Sequence, residues 1–442
     1  MKPRRAECEN RQGDFFKVEL CDIVNPRHPM VKLADSVQWS RFDEAFGDLY
    51  DEANGCPAKS TRLMVSLHYL KFTYDLSDED VVAVWVENPY WQYLSGMKFF
   101  EHVRPIDPSS MTRWRKRVGR AGAETLLRES IAAGLALRAI KPSQLKRVNV
   151  DTTVQEKHVR FPTDARLYDR ARERLVKAAG RRGIKLRQSY RRVGKGLLLQ
   201  VNRYMHARQT RRAARCRRKL RTILGRVIRD LERKCPQPDE KLEELLEVAR
   251  GIWTQQRHDK NKIYSVHEPQ VACIAKGKVH KRYEFGAKVS VAATSRGGWF
   301  VGALALKGNP YDGHTLAPAL AQVETMMGRA PEHVFVDRGY RGHGYEGAAQ
   351  VHVDRRRRGK LAARLWRWMK RRSAIEPSIG HLKGEHRMER CRLWGREGDA
   401  FNAIMSAAGM NFHKLLTHAA ILRALLRTLL NLRPVCLQIR LA

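Results

Sequence analysis

The sequence predicts an α/β fold, in which a mixed sheet is flanked by helices, an all-α region precedes the sheet and a basic helical segment interrupts it. Apolar residues recur at helical spacing between residues 57 and 140, so this region is predicted to be all-helical. Within it, Ser77 and the acidic residues that follow form a capping signal for a helix that stops before Pro89. Runs typical of strands begin at Val148 and return in KRYEFGAKVSVAATSRGGWFVGALAL and HVFVD. Between these runs the periodicity is helical for about a hundred residues.

The charge of the chain indicates a polyanionic partner. Its 442 residues include 85 Lys and Arg against 46 Asp and Glu, so the net charge is +39. A positive field of this size attracts nucleic acid before other common polyanions. The longest apolar region, HAAILRALLRTLLNLRPV, contains three arginines and is too short and too charged to span a membrane. Because the N-terminus has no apolar signal region and the eight cysteines contain no C-x-x-C pair, we expect a cytoplasmic protein with reduced thiols.

Changes in composition and periodicity divide the chain into four predicted segments. Residues 1–56 form an N-terminal segment, and residues 57–140 form an all-α domain that we expect to bind DNA. Residues 141–415 contain the predicted sheet and are interrupted by a basic helical insertion, residues 160–260. Residues 416–442 form a C-terminal helical tail.

A basic helix supports DNA binding by the all-α domain. The stretch DPSSMTRWRKRVG predicts a short helix that begins at Pro108 and Ser109. Its cationic side chains are Arg113, Arg115, Lys116 and Arg117. Short helices that lead into such a basic helix are typical of helix-turn-helix DNA-binding units. The alternative is an ordinary surface helix with a basic face.

The predicted insertion concentrates the positive charge. Residues 160–234 contain 26 Lys and Arg and 5 Asp and Glu, a net charge of +21. Apolar residues at helical spacing precede and follow CPQPDE, where Pro236 and Pro238 break the pattern, so we expect a helical hairpin. Charge of this density repels itself unless a polyanion lies against it, which favours contact with a DNA backbone. A solvated basic face is the alternative.

Three acidic residues occupy positions that a single fold would bring together. Without the insertion, the order is a strand with Asp151, two strands, a helix, a strand ending at Asp337, a further strand, and a helix with Glu376. This is the element order of a ribonuclease-H-like fold, in which the first and fourth strands are neighbours and the late helix packs over them. We therefore expect Asp151 and Asp337 to end adjacent strands near Glu376. For Asp151 alone, the simpler interpretation is a solvated acid on a half-exposed strand.

Converging carboxylates indicate metal-dependent phosphoryl transfer. Three neighbouring carboxylates raise one another's pKa, so their proximity is difficult to explain without a cation. Magnesium prefers hard oxygen ligands, and two ions about 4 Å apart can activate the attacking oxygen and stabilise the leaving one. In the predicted last helix, residues 361–387, the spacing of Arg372, Glu376 and Lys383 places them on one face. A carboxylate for metal beside cations for phosphate suits a site that cuts DNA.

Several motifs give the sequence a family resemblance. They are LSDEDVV, WVENPYWQY, DPSSMTRWRKRVG, VDTTVQEK, GNPYDGHTL, VDRGYRG and RRSAIEPSIGHLK. From about residue 57 to about residue 415, the chain resembles the DDE transposases of bacterial insertion sequences, in the insertion-sequence-five group, which is related to the insertion-sequence-four group. The resemblance implies that Asp151, Asp337 and Glu376 are the catalytic acids and the metal ligands.

The resemblance also implies DNA contacts and shows two departures. The implied phosphate contacts near the cut are Arg338, Arg341, Arg372 and Lys383. Met369 stands where the last helix of the family has a tyrosine. Some relatives carry a large insertion between the second and third acids, but only 38 residues separate Asp337 from Glu376 here. The long insertion follows Asp151 instead, so the resemblance implies no role for it.

The function implied by the resemblance is DNA transposition. The protein would bind the terminal inverted repeats of its own mobile element, hydrolyse a phosphodiester at each end, and join the free 3′-hydroxyls to target DNA by transesterification. The implied cofactor is Mg²⁺ or Mn²⁺, with two ions expected. The implied partner is DNA, held by a homodimer or a larger synaptic assembly at the bacterial nucleoid. No membrane and no small-molecule substrate is expected.

Two other functions fit the same residues. A ribonuclease-H-like nuclease without strand transfer would need the same acids. A non-catalytic DNA-binding protein would need only the positive charge. In GNPYDGHTL, Asp312 and His314 could assist the site, but capping of the helix that follows is the simpler interpretation.

Overall fold

The computed structural model describes residues 18–51, 57–275, 282–354 and 363–438 together with Lys2, and only the backbone of Arg364 and of residues 421–438. The chain forms two compact units. The first comprises Met1–Gln155, Lys288–Leu306 and Pro310–Ala442, and the second comprises Glu156–Ala287 and Lys307–Asn309. Within the described residues, no helix is long and apolar enough to cross a membrane.

Helices α1 to α7 form the N-terminal part of the first unit. Their bounds are Leu20–Ile23 (α1), Pro29–Ser36 (α2), Ser40–Gly47 (α3), Thr61–Thr73 (α4), Asp78–Glu87 (α5), Pro89–Leu94 (α6) and Pro108–Ala136 (α7). Apolar side chains of these helices are buried in one core, with Leu33, Phe42, Leu67 and Leu126 among its members. The predicted boundary at residue 57 does not separate two cores, because α2 and α3 contribute to the same core as α4.

Local capping defines the ends of α5, as predicted. The Ser77 hydroxyl accepts a hydrogen bond from the backbone N–H of Asp80, and the Asp80 carboxylate accepts one from the backbone N–H of Ser77. Asn88 then ends α5, and its side chain caps α6, whose first residue is Pro89. The start of α5 and its junction with α6 could be predicted because each capping group lies within three residues of its partner.

The second unit contains four described helices with a core of their own. Their bounds are Asp164–Arg181 (α8), Arg191–His206 (α9), Thr210–Lys234 (α10) and Glu240–Thr254 (α11). The apolar stripe predicted between Cys216 and Leu231 is buried in this core. The predicted break at Pro236 and Pro238 lies between α10 and α11, so the chain returns where the sequence indicates.

The strands form one mixed sheet. Their bounds are Arg147–Lys157 (β1), Ala272–Ala275 (β2), Tyr283–Thr294 (β3), Phe300–Ala305 (β4), His333–Val336 (β5), Gln350–Val353 (β6) and Arg390–Cys391 (β7). The strand path is β4–β3–β1–β5–β6, with β2 beside the start of β3 and β7 beside β1. β1, β5 and β6 are parallel, whereas β3 and β4 are antiparallel. The predicted first and fourth strands, β1 and β5, are therefore neighbours, as expected.

Helices α12 to α15 complete the first unit. Their bounds are Asp312–Met327 (α12), Ala363–Arg371 (α13), Ile375–Glu385 (α14) and Gly395–Gln438 (α15). α15 packs against α4, α7 and β4, so the N-terminal helices and the sheet share one core. The predicted boundary at residue 140 therefore does not separate independent cores, and α15 continues through the predicted boundary at residue 415.

The predicted last helix is interrupted. Where the sequence predicts one helix over residues 361–387, Arg372–Ala374 form a 3₁₀ turn between α13 and α14, and residues 361 and 362 lie outside the described part of the chain. Pro377 explains the break, because a proline inside a continuous helix removes a hydrogen bond and clashes with the preceding turn. As the third residue of α14, Pro377 avoids both costs, since N–H groups in the first turn have no partner within the helix.

A buried ion cluster fixes α5 against α7 and α4. The guanidinium of Arg115 donates to both carboxylate oxygens of Asp78, at 2.8 and 2.6 Å, and the ammonium of Lys71 donates to one of them at 2.6 Å. The side chains of Arg115 and Lys71 are 6% and 7% exposed. Burial alone would raise the pKa of Asp78, but the hydrogen bond from Arg115 and the charge of Lys71 hold that pKa well below its ordinary value.

We expect Asp78→Asn to reduce the free energy of unfolding by about 3 kcal/mol at neutral pH, because two buried cations lose their counter-charge. The pKa of Asp78 is lowered in the folded chain, so its stabilisation is complete above the ordinary value of 3.8 and is lost as the pH falls further. The difference between Asp78→Asn and wild type should therefore shrink in acid. Denaturant unfolding followed by circular dichroism across this pH range measures it.

Glu79→Gln is the matched control, because Glu79 is the next residue in the same helical turn and is exposed. Its effect should stay below about 1 kcal/mol. Equal losses in the two variants would contradict the role assigned to the buried cluster.

Candidate active site

The parallel pairing of β1 and β5 brings two of the predicted acids to the same level of the sheet. Three residue pairs define the register, from Arg147 with His333 to Asn149 with Phe335. Two residues further along each strand, the same register reaches Asp151 and Asp337. β5 ends at Val336, so the two acids follow the point where the ladder stops.

Asp151 does not end its own strand, contrary to the prediction. β1 continues to Lys157, which places Asp151 at the fifth of eleven positions. The continuation is held by burial, because Thr153, Val154 and Gln155 are all inaccessible to solvent or nearly so. The amide of Gln155 also donates a hydrogen bond to the backbone carbonyl of Asp399 at 3.1 Å. Only the pairing of β1 with β5, and not the strand itself, ends near Asp151.

Asp337 begins a single 3₁₀ turn, Arg338–Tyr340, directly after β5. Its Oδ1 accepts a hydrogen bond from the backbone N–H of Gly339 at 3.0 Å. Burial raises the pKa of Asp337, the Arg372 guanidinium opposes this shift, and the neighbouring carboxylates of Asp312 and Asp354 reinforce it. The raised pKa therefore reflects mainly the burial of the Asp337 carboxylate, and a bound cation would lower it.

Asp312, the first residue of α12, joins the two strands. Its Oδ1 accepts a hydrogen bond from the Thr152 hydroxyl at 2.9 Å and lies 2.6 Å from the Lys288 ammonium. Its Oδ2 lies 3.0 Å from the position that a Cβ on Gly339 would occupy, and Oδ1 of Asp337 lies 3.1 Å from the same position. Asp312 thus connects the residue after Asp151 with the turn that starts at Asp337.

The charges of three acids act on Tyr340. Its side chain is fully buried. Burial raises the pKa of the Tyr340 hydroxyl, and the charges of Asp151, Asp312 and Asp337 raise it further. Sequence reasoning did not single out Tyr340, and it preferred helix capping for Asp312. The available signal was the motif GNPYDGHTL, which places an acid directly before a helix, but its tertiary partners were not visible in the sequence.

Asn149 ties the late helices to β1. Its amide nitrogen donates to the backbone carbonyl of Arg371 at 3.3 Å, and its amide oxygen accepts from the Ser295 hydroxyl at 2.7 Å. The guanidinium of Arg147 lies over the Trp368 ring of α13, 4.9 Å from its centre. As the sequence predicts, the late helical segment therefore packs against the first strand, and the turn that contains Arg372 is held beside it.

Glu376 is less closely associated with the other two predicted acids. It lies in the first turn of α14 with its side chain 61% exposed, and its Oε1 is 3.6 Å from the guanidinium of Arg372. The same guanidinium opposes the rise in the pKa of Asp337, so one arginine interacts with both acids. In the described part of the chain, no three His, Cys, Asp or Glu side chains form a group that could hold a metal ion. Asp151 and Asp337 thus lie at the same level of adjacent strands, Asp312 lies beside Asp337 and is bound to Thr152, and Glu376 contacts Arg372.

Two family models match the chain. One is described as Transposase domain (DUF772) and matches residues 18–117, and the other is described as Transposase DDE domain and matches residues 253–412. The chain belongs to the DDE transposases. Asp337 and Glu376 lie within the DDE match, whereas Asp151 and most of the basic insertion lie between the two matches.

A curated relative extends the similarity. An uncharacterized protein, ORF8 in the nfe locus of Rhizobium meliloti, is 52% identical to the transposase over 209 residues. The aligned region covers 47% of this chain and 100% of the relative. No solved structure matches the chain.

One predicted DNA contact of the transposase lies in the core instead. Arg115 is buried, and its guanidinium is bound to Asp78. It therefore stabilises the packing of α7 and does not face a DNA surface. Arg113, Lys116 and Arg117 of the same helix are exposed. α7 is also longer than the predicted short helix, because it runs to Ala136 through a break at Gly119, where φ is 57°.

The remaining predicted phosphate contacts surround the acids unevenly. Arg338 follows Asp337 directly, and its guanidinium is 3.8 Å from a carboxylate oxygen of Asp354. Arg341 is exposed at the end of the same turn, and Lys383 is half-buried on α14. Met369 on α13, at the position of the family's tyrosine, is 4% exposed, so its side chain is buried.

We expect Gly339→Ala to lower the transposition frequency about ten- to a hundredfold. The new Cβ would lie 3.0 Å from Oδ2 of Asp312 and 3.1 Å from Oδ1 of Asp337, so both carboxylates must shift. A misplacement of about 1 Å in an active site can cost about a hundredfold in rate, so this factor is the upper bound for the few tenths of an ångström that the new Cβ requires. The measurement is the transposition frequency in cells of an element that carries a resistance marker.

Gly380→Ala is the control, because a Cβ at Gly380 in α14 meets no atom within 4 Å. Its transposition frequency should match that of wild type. A Gly339→Ala variant that is fully active would show that the carboxylates around Gly339 do not need their observed positions.

Proposed function

We propose that this transposase binds the terminal inverted repeats of its own insertion sequence, in the insertion-sequence-five group, and hydrolyses a phosphodiester at each end. The freed 3′-hydroxyls then join target DNA by transesterification. The observation that carries this proposal is the register of β1 and β5, which brings Asp151 and Asp337 to the same level of the sheet. Because two ends are cut and joined together, the active species is a homodimer or a larger assembly.

The strand path supports a ribonuclease-H-like catalytic fold. When the short strand β2 is left out, β1 lies between β3 and β5, and β6 lies outside β5. The element order of the sequence leads to the same arrangement. The parallel pairs β1–β5 and β5–β6 direct their carboxyl ends to one edge of the sheet, where ligands of such sheets commonly bind.

Asp151 and Asp337 are the proposed ligands of Mg²⁺ or Mn²⁺. Magnesium is usually held by one or two carboxylates and completes its coordination with water and substrate phosphates, so this pair of oxygen donors fits the ion. The raised pKa of Asp337 is consistent with a position that favours a cation. When bound, two such ions supply an activated attacking oxygen and stabilise the leaving one. Glu376 is proposed as the third ligand, because it lies one helical turn after Arg372, which acts on Asp337.

The side chains around the acids position the substrate and the strands. Arg372, with its side chain 14% exposed, places a fixed positive charge beside Asp337, where it can orient a phosphate of the cut strand. Lys288 and Thr152 hold Asp312, and through it the part of β1 that has left the ladder with β5. Arg338, Arg341 and Lys383 provide further phosphate contacts, which contribute affinity without sequence information.

We expect Asp151→Asn, Asp337→Asn and Glu376→Gln to lower the rate of end cleavage at least about a hundredfold, because each removes a charged ligand worth several kcal/mol in the transition state. Binding to the element ends should persist in all three. The measurement uses labelled DNA that carries the element's own ends, with Mg²⁺ or Mn²⁺, and follows both cleaved and joined products.

Glu385→Gln is the matched control for Glu376→Gln, because both residues lie on α14 and are similarly exposed, at 55% and 61%. Asp312→Asn tests the assignment of the third acid. If Asp312→Asn abolishes cleavage and Glu376→Gln does not, Asp312 is the third ligand and the proposed role of Glu376 is wrong. Cleavage without joined products would identify a nuclease, and binding without any cleavage by wild type would leave a DNA-binding protein.

A further inference from the structure

One exposed face of α10 carries a row of arginines. This face, the α10 basic stripe, consists of Arg211, Arg215, Arg218, Arg226 and Arg229. With 3.6 residues per turn, these spacings place the five side chains in one row, and Thr222 occupies the gap between the third and fourth. The opposite face of α10 is apolar and buried, with Leu220 and Leu224 at 1% and 0% exposure. The core of the second unit therefore fixes the direction of the stripe toward solvent.

The arginines of the stripe lack acidic partners, whereas several other cations of the unit have them. In the part of the chain that the structure describes, none of the five arginines forms a salt bridge. The paired cations of the same unit include Arg172 with Asp169, Arg182 with Asp239, and Arg250 with Glu232 and Glu243. On α10 itself, Asp230 binds Arg233 and Lys234, which lie beyond the stripe. Like charges at helical spacing are destabilising. Arg229 also has a contact within the unit, because its guanidinium lies 5.6 Å from the centre of the Trp253 ring.

A groove between α8 and α11 provides an internal comparison. Its cations include Arg170, Lys177, Arg181 and Lys241, but Glu173, Glu244 and Glu247 line the same groove. Arg170 is bound to Glu173 at 3.0 Å. Both surfaces belong to one basic unit, but carboxylates line the groove, whereas the carboxylates of α10, Asp230 and Glu232, are bound to cations outside the stripe. A polyanion would therefore prefer the stripe.

We propose that the α10 basic stripe is a docking surface for duplex DNA, which it holds by its phosphates. This inference rests on the proposed function in taking DNA as the partner. From Arg211 to Arg229 the stripe extends about 27 Å along the helix, which corresponds to roughly eight base pairs at 3.4 Å each. It contains only arginine, whose planar fork of donors matches phosphate better than the ammonium of lysine does. Insertion into a membrane is excluded, because the apolar face of α10 is already buried in the unit.

The test compares two triple variants of the full-length chain. Arg215→Gln, Arg218→Gln and Arg226→Gln remove three charges from the stripe. Lys177→Gln, Arg181→Gln and Lys241→Gln remove three charges from exposed positions of the groove. Fluorescence anisotropy with a labelled random-sequence duplex, over a series of salt concentrations, gives the affinity and its salt dependence. Circular dichroism spectra that match wild type confirm folding, since all six residues are exposed.

We expect the stripe variant to bind the duplex at least about tenfold more weakly at low salt, with the slope of log affinity against log salt smaller by about 3. The groove variant should lose much less in both quantities. Wild-type binding by the stripe variant, or equal losses in both variants, would overturn the proposal. So would a stripe variant that loses affinity for a single-stranded RNA of the same length but not for the duplex.

The duplex-binding test of the stripe does not depend on catalysis. A chain that binds duplex through the stripe but never cuts element ends would contradict the proposed function and leave the stripe's role intact. A chain that cuts and joins normally, but binds duplex equally well without the stripe, would overturn the stripe's role alone.

Discussion

The candidate active site depends on the parallel register of β1 and β5. A slip of one residue would move Asp337 out of level with Asp151 and turn its side chain toward the opposite face of the sheet. The register is held by buried apolar residues, such as Val148, Val150 and Val334, and by one buried polar residue. Asn149 is 2% exposed, and its amide satisfies both the carbonyl of Arg371 and the hydroxyl of Ser295. A slipped strand would leave this amide without partners in the interior, which is costly.

The same amide couples the register to the electrostatics of the site. By holding the end of α13, Asn149 positions the turn in which Arg372 lies, and Arg372 acts on both Asp337 and Glu376. Lys288 is bound to Asp312, so its charge is already balanced by that carboxylate. Arg372 opposes the effect of burial and of the neighbouring carboxylates on the pKa of Asp337, so the register of β1 also determines how one cation acts at the end of β5.

The sequence predicted the features that depend on neighbouring residues. The helical stripes, the capping of α5 and the strand ending before Asp337 all follow from local spacing. It did not predict that Arg115 is buried beside exposed Arg113, Lys116 and Arg117, because its partner Asp78 lies 37 residues earlier. Nor could spacing alone distinguish capping by Asp312 from its contact with Thr152, 160 residues away. The break before α14 was accessible in principle, since Pro377 permits a helix start but not a helix interior.

The proposed acids and the densest positive charge lie in different parts of the chain. A site that collects carboxylates repels phosphates until cations are bound, so it cannot itself supply the long-range attraction that brings DNA to the protein. Residues 160–234, which carry a net +21, can supply it. All of this segment, together with Asp151, lies in residues 118–252, which neither family model matches, whereas Asp337 and Glu376 lie within the DDE match. The family models therefore cover two of the three proposed acids but none of the segment in which the positive charge is densest.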